Sequence, residues 1–231
     1  MKTIGVLGGL GPQATMDFEQ RVHQVAQQLL RPQGNSGYPP MVVYYCRHPP
    51  ILLDAAGQPQ TPIQPDPRLL AAARKLGQLA DFLVITSNGV HVMQPALEQA
   101  AGRPILSMID ATLVEVTRRG WRRVGVLTFR TPLVYAQALE QQGLECESID
   151  AALQRPLDTA IQAVMEGRAD AQSTEQARRA VMALRGREVD GIILGCTEIP
   201  LLLHADLDAP DLLNPTAILA EAAVRYAIAD P

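Results

Sequence analysis

"DFLVITSNGVHVM" (Asp81–Met93) and "DGIILGCTEIPLL" (Asp190–Leu202) follow one pattern. Each begins on an aspartate, runs through a short apolar stretch and breaks at a small polar turn. A short continuous apolar run bounded by a turn signal reads as a strand buried on both faces. Asp81 aligns with Asp190, the apolar runs align, and Ser87 falls on Cys196.

Working outward, similar runs recur at Thr3–Leu7, Met41–Tyr45, Phe82–Thr86, Ile105–Ser107, Arg123–Thr128, Glu145–Ser148, Gly191–Leu194 and Asp211–Leu213. Helical periodicity fills the intervals at Ala14–Leu30, Pro67–Leu79, Gln94–Ala101, Thr112–Arg119, Leu133–Gln142, Leu157–Glu166, Thr174–Arg185 and Thr216–Ile228. Apolar strands alternating with amphipathic helices predict an α/β fold with parallel sheets covered on both faces.

The repeat extends beyond the opening pair. "IGVLGGLGP" (Ile4–Pro12) resembles "VGVLTFRTP" (Val124–Pro132), and "IDAT" (Ile109–Thr112) resembles "LNPT" (Leu213–Thr216). Three matched pairs in one order predict two pseudo-symmetric, Rossmann-like α/β domains. The boundaries expected are 1–112 and 113–214, with the C-terminal helix 215–231 packing back on the first half. Ligands of parallel sheets sit at the carboxyl ends of the strands. The expected active site is therefore a cleft between the halves, with Ser87 and Cys196 on opposite sides of one ligand.

Composition narrows the class. A formal net charge of -4 and scattered basic residues argue against a nucleic-acid surface. Three cysteines do not build a disulfide framework and suit a reducing compartment. No secretory pattern opens the chain, and no apolar run reaches the roughly 18 residues of a membrane span. These features predict a soluble, cytoplasmic protein without membrane partners.

Three motifs carry the candidate chemistry. "GGLGPQAT" (Gly8–Thr15) contains Gly9, Gly11 and Ala14 at the spacing of a relaxed dinucleotide fingerprint. The acidic residue that should follow at the end of the second strand is absent, and Tyr45-Cys46-Arg47 stands there instead. The same loop suits a carboxylate held by backbone N–H groups. In Gly195-Cys196-Thr197-Glu198, a cysteine at a strand-to-helix turn would sit at a helix N-terminus, where the thiolate is favoured. Cys46 and Cys146 read as buried, inert thiols. In Ser87-Asn88-Gly89-Val90-His91, His91 lies one helical turn beyond Ser87. It reads either as a base for the serine or as a histidine bonded to the backbone. His23, His48 and His204 show no metal-ligand spacing.

These residues resemble the aspartate/glutamate racemase family, the cofactor-independent amino acid racemases. The resemblance rests on "GVLGGLGPQAT", on "SNGVH" where the family reads C-N-T-A-H, on "GCTEIP", and on "LNPTAILAEAAVR". It spans nearly the whole chain. It implies two pseudo-symmetric α/β domains, frequently as a homodimer, with neither metal nor pyridoxal cofactor. It also implies an acid/base on each face of a substrate α-carbon, here Cys196 and Ser87. Asn88, Thr131 and Thr197 match family positions that contact the α-carboxylate. Gly9, Leu10, Gly89 and Glu198 fall in the same turns.

Several positions depart from the family pattern. Ser87 replaces the first cysteine. The arginine of the P-x-R-T turn is missing from "CRHPPILLD", which leaves Arg47 nearby. Met165 replaces a lysine, Asn214 stands where aspartate is common, and Arg130 occupies a place usually held by a small residue. Carboxylate recognition favours arginine, so Arg130 and Arg47 are the expected grips on a substrate side chain. The expected activity is racemisation or epimerisation of an amino acid. The alternatives are a single-cysteine decarboxylase or isomerase of a small carboxylic acid, and a non-catalytic ligand-binding homologue.

Overall fold

The computed structural model describes residues 1–31, 33–130 and 133–229. The chain separates into two compact units, one of residues 1–108 plus the segment from Thr216, the other Ile109–Pro215. In the first, β1 (Ile4–Gly8), β2 (Met41–Tyr45), β3 (Phe82–Ile85) and β4 (Ile105–Leu106) form a parallel sheet in the order β2-β1-β3-β4. Its helices are α1 (Pro12–Leu29), α2 (Pro67–Leu79) and α3 (Gln94–Ala101). In the second, β5 (Arg123–Leu127), β6 (Glu145–Glu147), β7 (Gly191–Leu194) and β8 (Leu212–Leu213) repeat the scheme as β6-β5-β7-β8, again all parallel. Its helices are α4 (Met108–Arg118), α5 (Leu133–Gln141), α6 (Ala151–Met165), α7 (Ala171–Arg185) and the short α8 (Ile199–Leu203). Helix α9 (Pro215–Ile228) follows β8 but packs in the first unit.

Alternation along the central strands builds two layers of core. Leu7, Leu83 and Ile85 face α2 and α3, whereas Ile4, Val6, Phe82 and Val84 face α1 and α9. Successive side chains of a strand point to opposite faces, so a run apolar at every position is buried on both. In the second unit Leu127, Ile192 and Leu194 join a core with α6, α7 and α8.

The repeated aspartates hold strand ends together. Asp81 Oδ2 accepts the Thr3 N–H at 2.6 Å, while the Asp81 N–H donates to the Thr3 carbonyl at 3.0 Å. Asp190 Oδ2 accepts the Arg122 and Arg123 N–H groups at 2.6 and 2.8 Å, and the Asp190 N–H donates to the Arg123 carbonyl. In both units one carboxylate thus fixes the entry of the central strand against its neighbour. The two Arg N–H bonds hold the Asp190 carboxyl below its usual range.

The element edges differ from expectation chiefly where caps act. Helix α6 begins six residues before the expected Leu157, because Asp150 caps it by accepting the Leu153 N–H. Pro156, just before the expected start, lies inside it. Helix α7 begins at Ala171 through a capping box of Asp170 and Ser173. A 3-10 turn at Gly89–Met93 precedes α3, and a second at His204–Asp208 follows α8. No helix among the described residues is long and apolar enough to cross a membrane.

Close helix contact explains one glycine. A Cβ on Gly77 of α2 would lie 1.9 Å from the Ala101 carbonyl oxygen of α3. Backbone cannot yield as a flexible side chain does. Gly77→Ala should therefore destabilise the first unit by about 2–3 kcal/mol in urea unfolding, as overpacked cores do. Unchanged stability would show that α2 and α3 are free to move apart.

Candidate active site

Each unit carries a polar turn at the carboxyl end of its third strand. In the second unit, β7 ends at Leu194, and Gly195-Cys196-Thr197-Glu198 leads into α8. Cys196, Thr197 and Glu198 are all buried, Glu198 to 2% exposure. The Cys196 Sγ–H donates to Glu198 Oε2 at 3.1 Å, and the Thr197 hydroxyl donates to the same oxygen at 3.0 Å. Backbone N–H groups of Glu198 and Phe129 favour the charged form of the sulfur.

Burial outweighs those donors. Desolvation, reinforced by the negative charge of Glu198, drives the Cys196 thiol well above the usual cysteine range. Burial also raises the Glu198 carboxyl. The expectation of a thiolate stabilised at a helix N-terminus is thus corrected. Helix α8 has only five residues, and Cys196 precedes its N-cap, Glu198. The resting group is a neutral thiol bonded to a carboxyl group that itself holds protons readily.

In the first unit, β3 ends at Ile85 and the chain continues through Thr86 to Ser87, Asn88 and Gly89. His91 serves this turn's backbone. Its Nε2 accepts the Met108 N–H at 3.1 Å, so Nδ1 carries the ring proton and donates to the Ser87 carbonyl at 2.8 Å. The reading of His91 as a base for the Ser87 hydroxyl is therefore corrected in favour of the backbone-bonded one. Ser87 is half-buried, Asn88 is buried, and Gly89 is exposed.

The Gly8–Thr15 loop lies at the end of the neighbouring strand β1. Thr15 Oγ1 accepts the Gly9 N–H at 2.9 Å and donates to the Gly11 carbonyl at 3.2 Å. A 2.9 Å hydrogen bond also joins the Thr15 and Thr86 hydroxyls. Gly9 thus offers its N–H to Thr15. Leu10 packs against the core shared with α2 and α3. Pro12 opens α1, after Gly11 as N-cap.

The same places in the second unit are filled by other residues. The repeat sets Thr128 against Gly8, Tyr135 against Thr15, and Gly195 against Thr86. A Cβ on Gly8 would lie 2.6 Å from Thr15, and one on Gly195 would lie 2.9 Å from Thr128 and 3.0 Å from the Tyr135 ring. Each unit fits one small residue against two larger ones, at different strands. Tyr135 is fully buried, reaches Thr112 Oγ1 at 3.5 Å, and has its hydroxyl pushed far above the usual range by burial.

Both candidate grips are exposed. The Arg47 guanidinium lies 4.9 Å from the Tyr45 ring centre, and that of Arg130 lies 5.0 Å from Phe129's. Arg130 adopts φ 64°, the left-handed region disfavoured for residues with a Cβ. Its N–H donates to Asp158 Oδ1 at 2.8 Å. Thr131 lies outside the described residues. Burial raises both other cysteines, Cys46 to about 11. Among the described residues, no group of three His, Cys, Asp or Glu side chains could hold a metal ion.

A match to the Asp/Glu/Hydantoin racemase family covers residues 7–223, and so includes both strand-end turns. The chain belongs to this family. It is similar to the broad specificity amino-acid racemase RacX of Bacillus subtilis (strain 168), at 26% identity over 230 residues and 98% of each chain. It also resembles the crystal structure of a Yersinia pestis protein provisionally assigned as an Asp/Glu racemase. That match has 28% identity and a TM-score of 0.78, and covers 99% of this chain and 100% of that one. It shares the fold of Picrophilus torridus aspartate racemase at a TM-score of 0.79, with 19% identity and 98% and 94% coverage.

The racemase-family turns contain contacts that motif reading did not single out. Thr15 and Thr86 brace the Gly8–Gly11 loop, and Asp158 braces Arg130. Their only sequence signal was a polar residue at a strand end or on a helix face, which solvent exposure explains equally well.

Cys196 should alkylate slowly with iodoacetamide at neutral pH and faster as pH rises past the usual cysteine range. Glu198→Gln removes the neighbouring negative charge and should move that profile to lower pH. Mass spectrometry of the Cys196 peptide reads it. A profile unmoved or moved upward would show that Glu198 does not control the thiol.

Proposed function

We propose that this chain is a cofactor-independent amino acid racemase or epimerase in which Cys196 is the main acid/base. The buried thiol–carboxyl pair of Cys196 and Glu198 carries this proposal. Moving the thiol proton to Glu198 Oε2 leaves a thiolate beside a neutral acid. The thiolate then takes the substrate α-proton: the Cα–H bond breaks, an S–H bond forms, and the electron pair stays on the α-carbon and its carboxylate. That transfer moves one proton from sulfur to carboxylate with no change in net charge, which suits a dry site.

Ser87, at the matching strand end of the first unit, is proposed to lie across the α-carbon from Cys196. There its hydroxyl bonds the substrate or relays a proton weakly. Asn88, Gly89, Thr131 and Thr197, together with the Gly9–Leu10 loop, are the proposed surroundings of the α-carboxylate. Arg130 and Arg47 are the proposed partners of a substrate side chain. The Thr197 hydroxyl proton is engaged by Glu198, so Thr197 acts on a carboxylate through its backbone or by orienting Glu198. Oligomeric assembly and cytoplasmic residence remain part of the same proposal.

The engagement of His91 with the Ser87 carbonyl also favours a second reading. With that histidine turned to the backbone, chemistry on the serine face is weak. A one-sided protonation, as in decarboxylation or isomerisation of a small carboxylic acid, needs only Cys196.

Incubation with each enantiomer of aspartate, glutamate and several neutral amino acids, followed by chiral chromatography, tests the first reading. Cys196→Ala should lower inversion by at least about 10²-fold, the usual contribution of a positioned acid/base. Ser87→Cys should raise it. Full activity in Cys196→Ala would sink the mechanism. Carbon dioxide release or double-bond migration without inversion would select the second reading.

A further inference from the structure

Independently of the proposed reaction, we propose that β2 is a dimer interface. The strand pairs with β2 of a second copy of this chain, antiparallel about a two-fold axis at Val43.

The four sheet edges are not alike. The strand orders leave β2 and β4 at the edges of the first sheet, and β6 and β8 at those of the second. An edge strand presents a row of unpaired N–H and C=O groups, which proteins blunt by keeping the strand very short or charging it. Strands β4 and β8 have two residues each. Strand β6 has three, two of them glutamates, and Glu147 pairs with Arg123 at 2.7 Å and with Arg187 at 3.5 Å. Strand β2 is the counterpart of β6 in the repeat and uses neither device. It runs Met-Val-Val-Tyr-Tyr over five residues, carries no charge, and is half-buried at every position.

The backbone shows which groups are open. The Ile4 N–H donates to the Pro40 carbonyl and the Cys46 N–H to the Gly8 carbonyl, both at 2.8 Å. In a parallel pair, alternate residues of a strand bond to its neighbour. Pro40, Val42, Tyr44 and Cys46 therefore face β1, in register with Ile4–Gly8. The N–H and C=O groups of Met41, Val43 and Tyr45 point the other way. Among the described residues no backbone group meets them. Pro39, two residues earlier, has no N–H and ends the row of donors.

This row is its own complement, because it is symmetric about Val43. Opposed residues of an antiparallel pair can exchange both N–H···O=C bonds. With Val43 opposite Val43 of the second copy, Met41 falls opposite Tyr45 of that copy, and every open group on both strands gains a partner. Such an isologous contact closes on itself and gives a dimer, not a filament.

Sedimentation velocity tests the assembly, and amide exchange tests the surface. The wild type should sediment at twice the mass of the 25.0 kDa chain. Residue 43 meets itself across the axis, and like charges directly opposed destabilise a strand pair. Val43→Glu and Val43→Lys should each sediment as monomers, and an equimolar mixture of the two should regain the dimer mass. Val43→Pro removes an N–H that the ladder with β1 does not use, so it should give a monomer with native circular dichroism. In the wild type, the Met41, Val43 and Tyr45 amides should exchange as slowly as those of Val42 and Tyr44. A monomeric wild type, folded variants that stay dimeric, or a mixture that fails to re-form the dimer would overturn the proposal. So would fast exchange at Met41, Val43 and Tyr45 beside slow exchange at Val42 and Tyr44, and this wild-type readout decides where a variant loses its native circular dichroism. No readout involves turnover, so absence of racemisation would count against the proposed function and leave this result standing.

Discussion

The hydrogen bond from Cys196 to Glu198, 3.1 Å long and shut away from water, is the contact around which the second unit's strand-end turn is arranged. A buried carboxyl group without partners costs several kcal/mol. Glu198 meets that cost with two donors on one oxygen, the thiol and the Thr197 hydroxyl. Backbone N–H groups of Glu198 and Phe129 favour a charge on the sulfur, and burial outweighs them. Burial raises both possible holders of a proton inside this group.

The two units use one scaffold for unlike purposes. Both place a parallel strand beside a central strand pinned by an aspartate, and both end in a polar turn. In the first unit the space beneath the turn holds Thr15 and Thr86, whose hydroxyls tie down the glycine loop. In the second it holds Thr128 and the buried ring of Tyr135, which leave room only for Gly195. The turn itself follows suit. Ser87 is braced through its carbonyl by His91, whereas Cys196 is braced through its reactive atom. That contrast supports the proposed division, in which Cys196 carries the proton and Ser87 serves as a weaker partner.

Much of the fold was legible because central parallel strands buried on both faces leave continuous apolar runs, as in β1, β3, β5 and β7, whereas the edge strand β6, Glu-Cys-Glu, carries no such run. Helix starts were less legible. Pro156 resembles a boundary, yet the cap that sets α6 is Asp150, six residues upstream. The five-residue turns at Gly89–Met93 and Ile199–Leu203 are too short to show a period. In the site, Cys196 and Glu198 were visible as a motif, but their state was not. The helix that would have favoured a thiolate is too short, and burial decides instead. Asp158, which accepts the Arg130 N–H, left no signal, since an acidic side chain on a helix looks like any solvated position.

The central claim is that one face of the substrate meets a working acid/base and the other meets a weak hydroxyl. Nuclear magnetic resonance of α-deuterium incorporation in deuterium oxide, begun separately from each enantiomer of a substrate that the chain turns over, tests it most directly. The account predicts that one enantiomer exchanges its α-proton with retention faster than it inverts, while the other exchanges slowly. Equal exchange from both enantiomers, with inversion as fast as exchange, would contradict it and would require Ser87 to match Cys196 as an acid/base.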